Sequence, residues 1–129
     1  MASARQALLD TFDLGLLVGD AALCASVYAP NAVVVPPNRE MIYGREAIGD
    51  YWQRIISREC RAHALTTDQL EVREDRIVER GHYAHFEHPV ALDTYTAWGC
   101  YVLIMDRHTD GSWAWVADVW SDASEPAIT

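Results

Sequence analysis

The sequence predicts an α+β fold: three N-terminal helices, then a strongly curved, mixed and mostly antiparallel sheet. Three observations predict it. Apolar residues recur at helical spacing between Leu8 and Leu16, the β-branched run Val33-Val34-Val35 is stopped by Pro36-Pro37, and from about residue 61 onward long alternating stretches rich in aromatic and β-branched residues take over. Helices that come first and strands that come last segregate to opposite layers, so the helices cover one face of the sheet and enclose a pocket.

The elements follow in order. Ser3 and Gln6 have capping-box spacing, and Leu8, Phe12 and Leu16 repeat every four residues, predicting a helix from about Ala4 to Val18. Gly19 can end that helix in the left-handed conformation, and Asp20 can cap a second one over Ala21 to Val27, ahead of Pro30. After the valine run and its prolines, Gly44 opens a third helix whose Ile48, Tyr51/Trp52 and Ile55/Ile56 share a face. Four strands are then predicted over Arg61 to Arg73, Arg76 to Glu87, Thr94 to Arg107 and Ser112 to Asp122. Glu74-Asp75 and Asp110-Gly111 are the hairpin turns, and Pro89 marks a loop. The tail from Ser124 is expected to be poorly ordered.

With 129 residues, half of them apolar, the chain is expected to form one domain over residues 1–129 with one sizeable core. A net charge of −9 and no basic stripe argue against nucleic acid and anionic membrane surfaces as partners. Lysine is absent, which removes side-chain Schiff-base chemistry and covalent pyridoxal phosphate. Cys24, Cys60 and Cys100 are scattered and odd in number, so neither a disulfide framework nor a Cys-x-x-Cys site is expected. No run approaches the roughly 20 apolar residues of a membrane span, and the expectation is a cytoplasmic protein.

His82-x-x-His85-x-x-His88 would suit a metal only on a helix. On a strand, His82 and His88 share a face about 20 Å apart at roughly 3.3 Å per residue, so no metal and no cofactor is expected. In Trp113-Ala-Trp115-Val-Ala-Asp118-Val-Trp120, strict alternation puts Trp113, Trp115, Ala117 and Val119 on one face and Val116, Asp118 and Trp120 on the other. Tryptophan on both faces fits either core on both sides or a cavity on one side and a subunit interface on the other, the latter implying a homodimer.

The segments Tyr28-Ala-Pro-Asn-Ala32 and Gly44-Arg-Glu-Ala-Ile48, with the element order around them, resemble the nuclear-transport-factor-2-like superfamily, in particular its ketosteroid-isomerase-like and SnoaL-like (polyketide-cyclase-like) branch. The resemblance implies a cone-shaped α+β barrel around an apolar pocket and a second subunit on the outer sheet face. The final Val119-Trp120-Ser121 is similar to the Tyr-Trp-Ser ending of bacterial ketosteroid isomerase, whose tryptophan lines the steroid pocket. By that match Val116, Asp118 and Trp120 face the cavity. The same comparison puts Phe12, Tyr28, Trp52 and Ile56 on the pocket side of the helices, and Val78, Arg80, His82, Ala84, Trp98 and Cys100 on the pocket side of the sheet.

The isomerase's own apparatus is missing. Its general-base aspartate falls at Pro36, its oxyanion-hole tyrosine at Phe12 and its protonated aspartate near Val102 or Leu103. The residues expected to replace it are His82 and Asp118. A carboxylate beside tryptophan in an apolar cavity has its charged form disfavoured, and a histidine it orients can shuttle a proton. Alternatively, Asp118 pairs with Arg80. By the same resemblance Arg45 and Glu46 recur at the start of the third helix in a structural role, Glu46 suiting the positive helix end, while Glu40 to Tyr43 can form a lid and Asp93 and Tyr95 sit at the rim. The expected function is cofactor-independent acid/base chemistry, of isomerase, cyclase or dehydratase type, on an apolar carbonyl compound of polyketide or terpenoid kind. The alternatives are a non-catalytic module that binds an apolar ligand or dimerises, and an epoxide hydrolase, for which Asp118 and Arg80 supply two members of the Asp-Arg-Asp cluster that similar limonene-type enzymes require around a water.

Overall fold

Helical periodicity and the Asp20 cap put the first two helices close to where the sequence places them, but the first begins at Ala2, ahead of the Ser3 cap expected for it, and the second ends at Ala25 rather than Val27. The computed structural model describes residues 2–37, 40–57, 62–86 and 95–122. Helix α1 spans Ala2–Val18, and Gly19, at φ 75°, turns the chain into α2, Ala21–Ala25. The Asp20 carboxylate accepts the Leu23 N–H at 3.1 Å, the expected cap. Strand β1, Tyr28–Val35, starts five residues before the valine run, where the sequence suggested a helix end. Short β2, Ile42–Tyr43, leads through Gly44, at φ 88°, into α3, Arg45–Ser57. The sheet continues with β3, Ala62–Val72, β4, Arg76–Phe86, β5, Tyr95–Arg107, and β6, Trp113–Asp122. Among the described residues no helix is long and apolar enough to cross a membrane.

Among the described residues six strands form one open mixed sheet in the order β2-β1-β6-β5-β4-β3, with β1 and β6 parallel and every other pair antiparallel. Asp110-Gly111 closes the β5–β6 hairpin as expected, with Gly111 at φ 88° and Asp110 accepting the Ser112 N–H at 3.0 Å. At the other turn the Arg107 guanidinium holds Asp75 at 2.6 Å.

Two register features decide which side chains face the helices. On β6, Ala117 pairs with Ile104 and Trp115 with Met105, so Val116 is an extra residue, a β-bulge that resets the alternation. On β3, Thr67 pairs with Gly81 and Gln69 with Arg80, leaving Asp68 as a second extra residue. The core therefore takes Ile77, Glu79, Gly81 and Tyr83 from β4, Tyr101, Leu103 and Met105 from β5, and Trp115 and Trp120 from β6. Phe12 and Leu16 of α1, and Ile48, Tyr51, Trp52 and Ile56 of α3, close over them.

Candidate functional site

Between α1, α3 and the helix-covered face of the sheet lies a cavity of about 40 Å³ lined by Phe12, Trp52, Leu65, Tyr83, Tyr101, Leu103, Trp115, Asp118 and Trp120. Aromatic rings dominate and lock one another. Phe12 meets Trp52 edge-on with centroids 4.8 Å apart and tilts over Trp115 at 5.2 Å, while Trp52 stacks on Trp120 at 5.8 Å. That volume takes a few water-sized groups, so with the side chains as they stand the cavity has no room for a polycyclic molecule.

Among the described residues, Asp118 is the one carboxylate on this wall. The Tyr28 hydroxyl donates to its Oδ2 at 2.6 Å, and Trp52 Nε1 donates in turn to the Tyr28 oxygen at 3.2 Å. Burial, with the Asp118 charge beside it, pushes the Tyr28 phenol well above its ordinary range, so it remains a donor. Arg45, at the first turn of α3, donates from Nε and Nη2 to the Tyr28 carbonyl at 3.0 and 2.8 Å. The structural role expected for Arg45 is thus to pin the start of β1, and with it the phenol that holds Asp118.

A second polar cluster lies on the same sheet face. Glu79, 2% exposed, accepts from Arg5 Nε at 2.5 Å, from Thr67 Oγ1 at 3.2 Å and, by a very short bond, from the Tyr101 hydroxyl. Glu79 and Asp118 both pair with Leu103, from opposite sides, so the two residues occupy one cross-strand row with their Cα atoms about 10 Å apart. Burial, then the bond to Glu79, raises the Tyr101 phenol far above its usual range. Arg5 therefore ties the N-terminal end of α1 to the sheet, while Tyr101 carries one side of the cavity.

One polar atom stands apart. Trp115 is 3% exposed, and its Nε1 has no hydrogen-bond partner among the described residues. A buried N–H without a partner costs about 1–3 kcal/mol.

Several sequence-based expectations fail on strand β4. His82 is 62% exposed on the opposite, outer face, with Nδ1 2.5 Å from Asp68 Oδ2, so it forms no dyad with Asp118. Arg80 is exposed and donates to Gln69 at 3.2 Å, which removes both its pairing with Asp118 and the epoxide-hydrolase arrangement. Val78 and Ala84 share that outer face, and Cys100, exposed, pairs with His82 there. The cause is the buried Glu79, whose Arg5, Thr67 and Tyr101 partners make the odd-numbered residues of β4 the inner ones. Val116 sits at the bulge and packs against the core without lining the cavity. Tyr28 and Ile56 are core residues behind the wall, and Tyr28 reaches the site only through its hydroxyl.

The bulge also overturns the outward placement of Trp113 and Trp115, since Trp115 lines the cavity and Trp113 packs partly buried against the core. The Trp98 side chain, Cys60, His88, Asp93 and the tail lie outside the described residues. Of the expected wall, Phe12, Trp52, Asp118 and Trp120 are brought together, while Leu65, Tyr83, Tyr101, Leu103, Trp115 and the Glu79 cluster were missed. One signal was available: Ile77 and Tyr83 outweigh Val78 and Ala84 in apolar volume, which marks the odd face of β4 as the buried one.

No family model matches the sequence, and no curated protein matches it. Solved structures do. An NTF2-like protein of unknown function from Shewanella oneidensis is similar at 16% identity and TM-score 0.74, over 94% of this chain and 98% of that one. A ketosteroid isomerase-like protein from Erwinia carotovora atroseptica is similar at 14% identity and TM-score 0.72, over 95% and 96%. A protein from Xanthomonas campestris, assigned provisionally as a calcium/calmodulin-dependent protein kinase II association domain, is similar at 22% identity and TM-score 0.74, over 98% and 90%. The chain thus has the α+β fold shared by the NTF2-like and ketosteroid isomerase-like proteins.

Proposed function

We propose that the protein is a cofactor-independent acid/base enzyme of isomerase, cyclase or dehydratase type acting on a compact, apolar carbonyl compound, with Asp118 as the group that moves the proton. One observation carries this reading: the carboxylate of Asp118 stands on the wall of an otherwise apolar, mostly aromatic cavity with its Oδ2 held at 2.6 Å by a phenol whose proton burial keeps on. A carboxylate accepts at about four positions, and the bond from Tyr28 takes one of them and fixes its orientation. In an isomerisation Asp118 removes the hydrogen next to the carbonyl, the C–H electron pair becomes the enolate double bond, and the carboxylic acid returns the proton at another carbon. The reaction closes on itself with no co-reactant. The aromatic wall keeps bulk water from quenching the enolate.

The test is solvent exchange. Incubated in heavy water with a panel of small cyclic ketones and enones, the wild type should speed deuterium uptake next to the carbonyl, followed by NMR. Asp118→Asn should lower that rate by a factor of about 100. Wild-type exchange no faster than buffer across the panel, or an Asp118→Asn variant as active as the parent, would remove the reading.

A second reading, a non-catalytic binding module, is favoured by the small volume of the cavity. It predicts saturable quenching of tryptophan fluorescence by an apolar ligand with no exchange.

A further inference from the structure

A cavity of about 40 Å³ does not hold even one six-membered ring, since a cavity that takes benzene measures about 150 Å³. A wall must part before a ring compound enters, and the bonds of each wall show which one yields. The strands are tied to one another by their ladders. Helix α3 is anchored by the buried Ile48, Tyr51, Trp52 and Ile56, by the Trp52 bond to the Tyr28 hydroxyl and by the Arg45 bonds to the Tyr28 carbonyl. The segment Glu40 to Tyr43, expected as a lid, contributes no residue to the cavity wall.

Helix α1 has two unlike halves. The second is fixed: Phe12 and Leu16 are buried, the Asp20 N–H donates to the Gly15 carbonyl at 2.8 Å, and Gly15 lies so close to α2 that a methyl group there would sit 2.7 Å from Cys24 Sγ. In the first half, no residue from 4 to 11 is buried. Leu8 and Leu9 are partly covered, and Arg5 supplies the polar tie to the sheet, with Nε donating to Glu79 at 2.5 Å and Nη2 to Thr67 Oγ1 at 3.1 Å. Between the halves the Thr11 hydroxyl donates back to the Ala7 carbonyl at 2.9 Å, a local bond of the kind that weakens and bends helices.

We propose that the first half of α1 is the door of the cavity, latched by Arg5 on Glu79 and hinged at Thr11. Two contacts put the latch at the cavity. Glu79 is the cross-strand partner of Leu103, its carboxylate takes the hydroxyl of Tyr101, and both Leu103 and Tyr101 line the wall. When Arg5 withdraws, Glu79 keeps the Thr67 and Tyr101 hydroxyls as donors, so opening leaves a hydrogen-bonded carboxylate and not an orphan charge. Opening therefore breaks one charged tie and uncovers little apolar surface, which places it far below global unfolding in free energy. The door serves the site whether Asp118 moves a proton there or the cavity only holds its ligand.

The experiment needs neither substrate nor turnover, so its failure and that of the acid/base reading are separate events. In a protein carrying Cys60→Ser, Cys100→Ser and Leu103→Cys, the thiols left are one on the cavity wall and native Cys24, fully buried under the fixed half of α1 with Sγ 3.7 Å from the Phe12 carbonyl. N-ethylmaleimide is too large for the closed cavity, so each thiol reacts only when its cover opens, and peptide mass spectrometry reads both in one sample. Position 103 should react well ahead of Cys24 and at a rate that low urea hardly changes, while Cys24 follows the urea dependence of global unfolding. Arg5→Ala should speed the reaction at position 103 about 30-fold, as expected for a lost charged bond, and leave its urea dependence small.

Equal rates and equal urea dependence at the two thiols would mean that the cavity opens only by global unfolding, and would overturn the door. An Arg5→Ala protein whose position 103 reacts at the parent's rate would overturn the latch. Should Arg5→Ala fail to fold, Thr67→Val removes one of the groups that hold Arg5 and reads the same latch: a reaction faster by about threefold or more supports it, and an unchanged rate overturns it. Leu65→Cys provides a second wall position if Leu103→Cys disturbs the core.

Discussion

The hydroxyl of Tyr28 has one proton and gives it to Asp118, while accepting from Trp52. Tyr28→Phe should therefore weaken two buried bonds at once, lowering stability by about 1–3 kcal/mol, as read from the denaturation midpoint. Burial also makes Tyr28 and Tyr101 hold their protons far beyond the ordinary phenol range. Below a pH of about 10 both are neutral whether the chain is folded or not; above it the unfolded chain loses these protons first. The folded state then binds more protons, so stability is complete below that pH and falls as the pH rises. With no lysine in the chain, tyrosine dominates titration in this window. Urea melts taken across it should show a falling stability, and Tyr28→Phe with Tyr101→Phe should flatten the slope; an equal slope in the double variant would contradict this account. Arg5 and Glu79 form a third residue-scale feature. Arg5→Ala should cost about 2 kcal/mol, because a buried carboxylate loses a charged donor.

At the scale of the element, β4 and β6 show what was legible and what was not. Element type and order follow from periodicity, caps and turns, and Gly19, Asp20 and Asp110-Gly111 do what local chemistry requires of them. The face of β4 was misjudged because Glu79 and Arg80 are both charged and only tertiary partners choose between them: Glu79 finds Arg5, Thr67 and Tyr101 inside, and Arg80 finds Gln69 outside. The bulge at Val116 leaves no trace in the residue types, since nothing about valine marks a phase shift, so Trp115 was assigned to the wrong side. Asp118 and Trp120 were placed correctly because they lie beyond the bulge. Gly81 follows from the same geometry. A methyl group built there would lie 2.1 Å from the Thr66 carbonyl oxygen and 2.9 Å from the Tyr101 ring, so the glycine lets β3 close on β4 and lets the ring lie across the strand. Gly81→Ala should cost about 3 kcal/mol, at the upper end for overpacking, since the nearer obstacle is backbone. A thermal melt close to wild type would show that β3 can yield.

For the molecule as a whole, the outer face of the sheet poses the remaining question. The tryptophans that first suggested an interface there are turned inward or packed on the core, so that argument is gone. Another replaces it. Val78, Val102, Ile104 and Ala117 are each only partly covered, and Val119, 39% exposed, stands among them, giving adjacent strands a common apolar surface bordered by Arg80 and His82. A two-layer fold covers only one side of its sheet with helices, and an antiparallel sheet whose second side were meant for water would alternate apolar with polar residues more cleanly than β5 does. We propose that a second copy of the chain packs on this face, Val119 against its counterpart region, with the site of each copy on the far side of its own sheet. Sedimentation equilibrium at micromolar concentration should then give twice the chain mass of 14.5 kDa. Val119→Asp with Ile104→Asp should yield a folded monomer with an intact cavity, because both side chains point away from Asp118. A wild type that sediments as a monomer would overturn the arrangement, and a dimer unaffected by both substitutions would place the contact elsewhere.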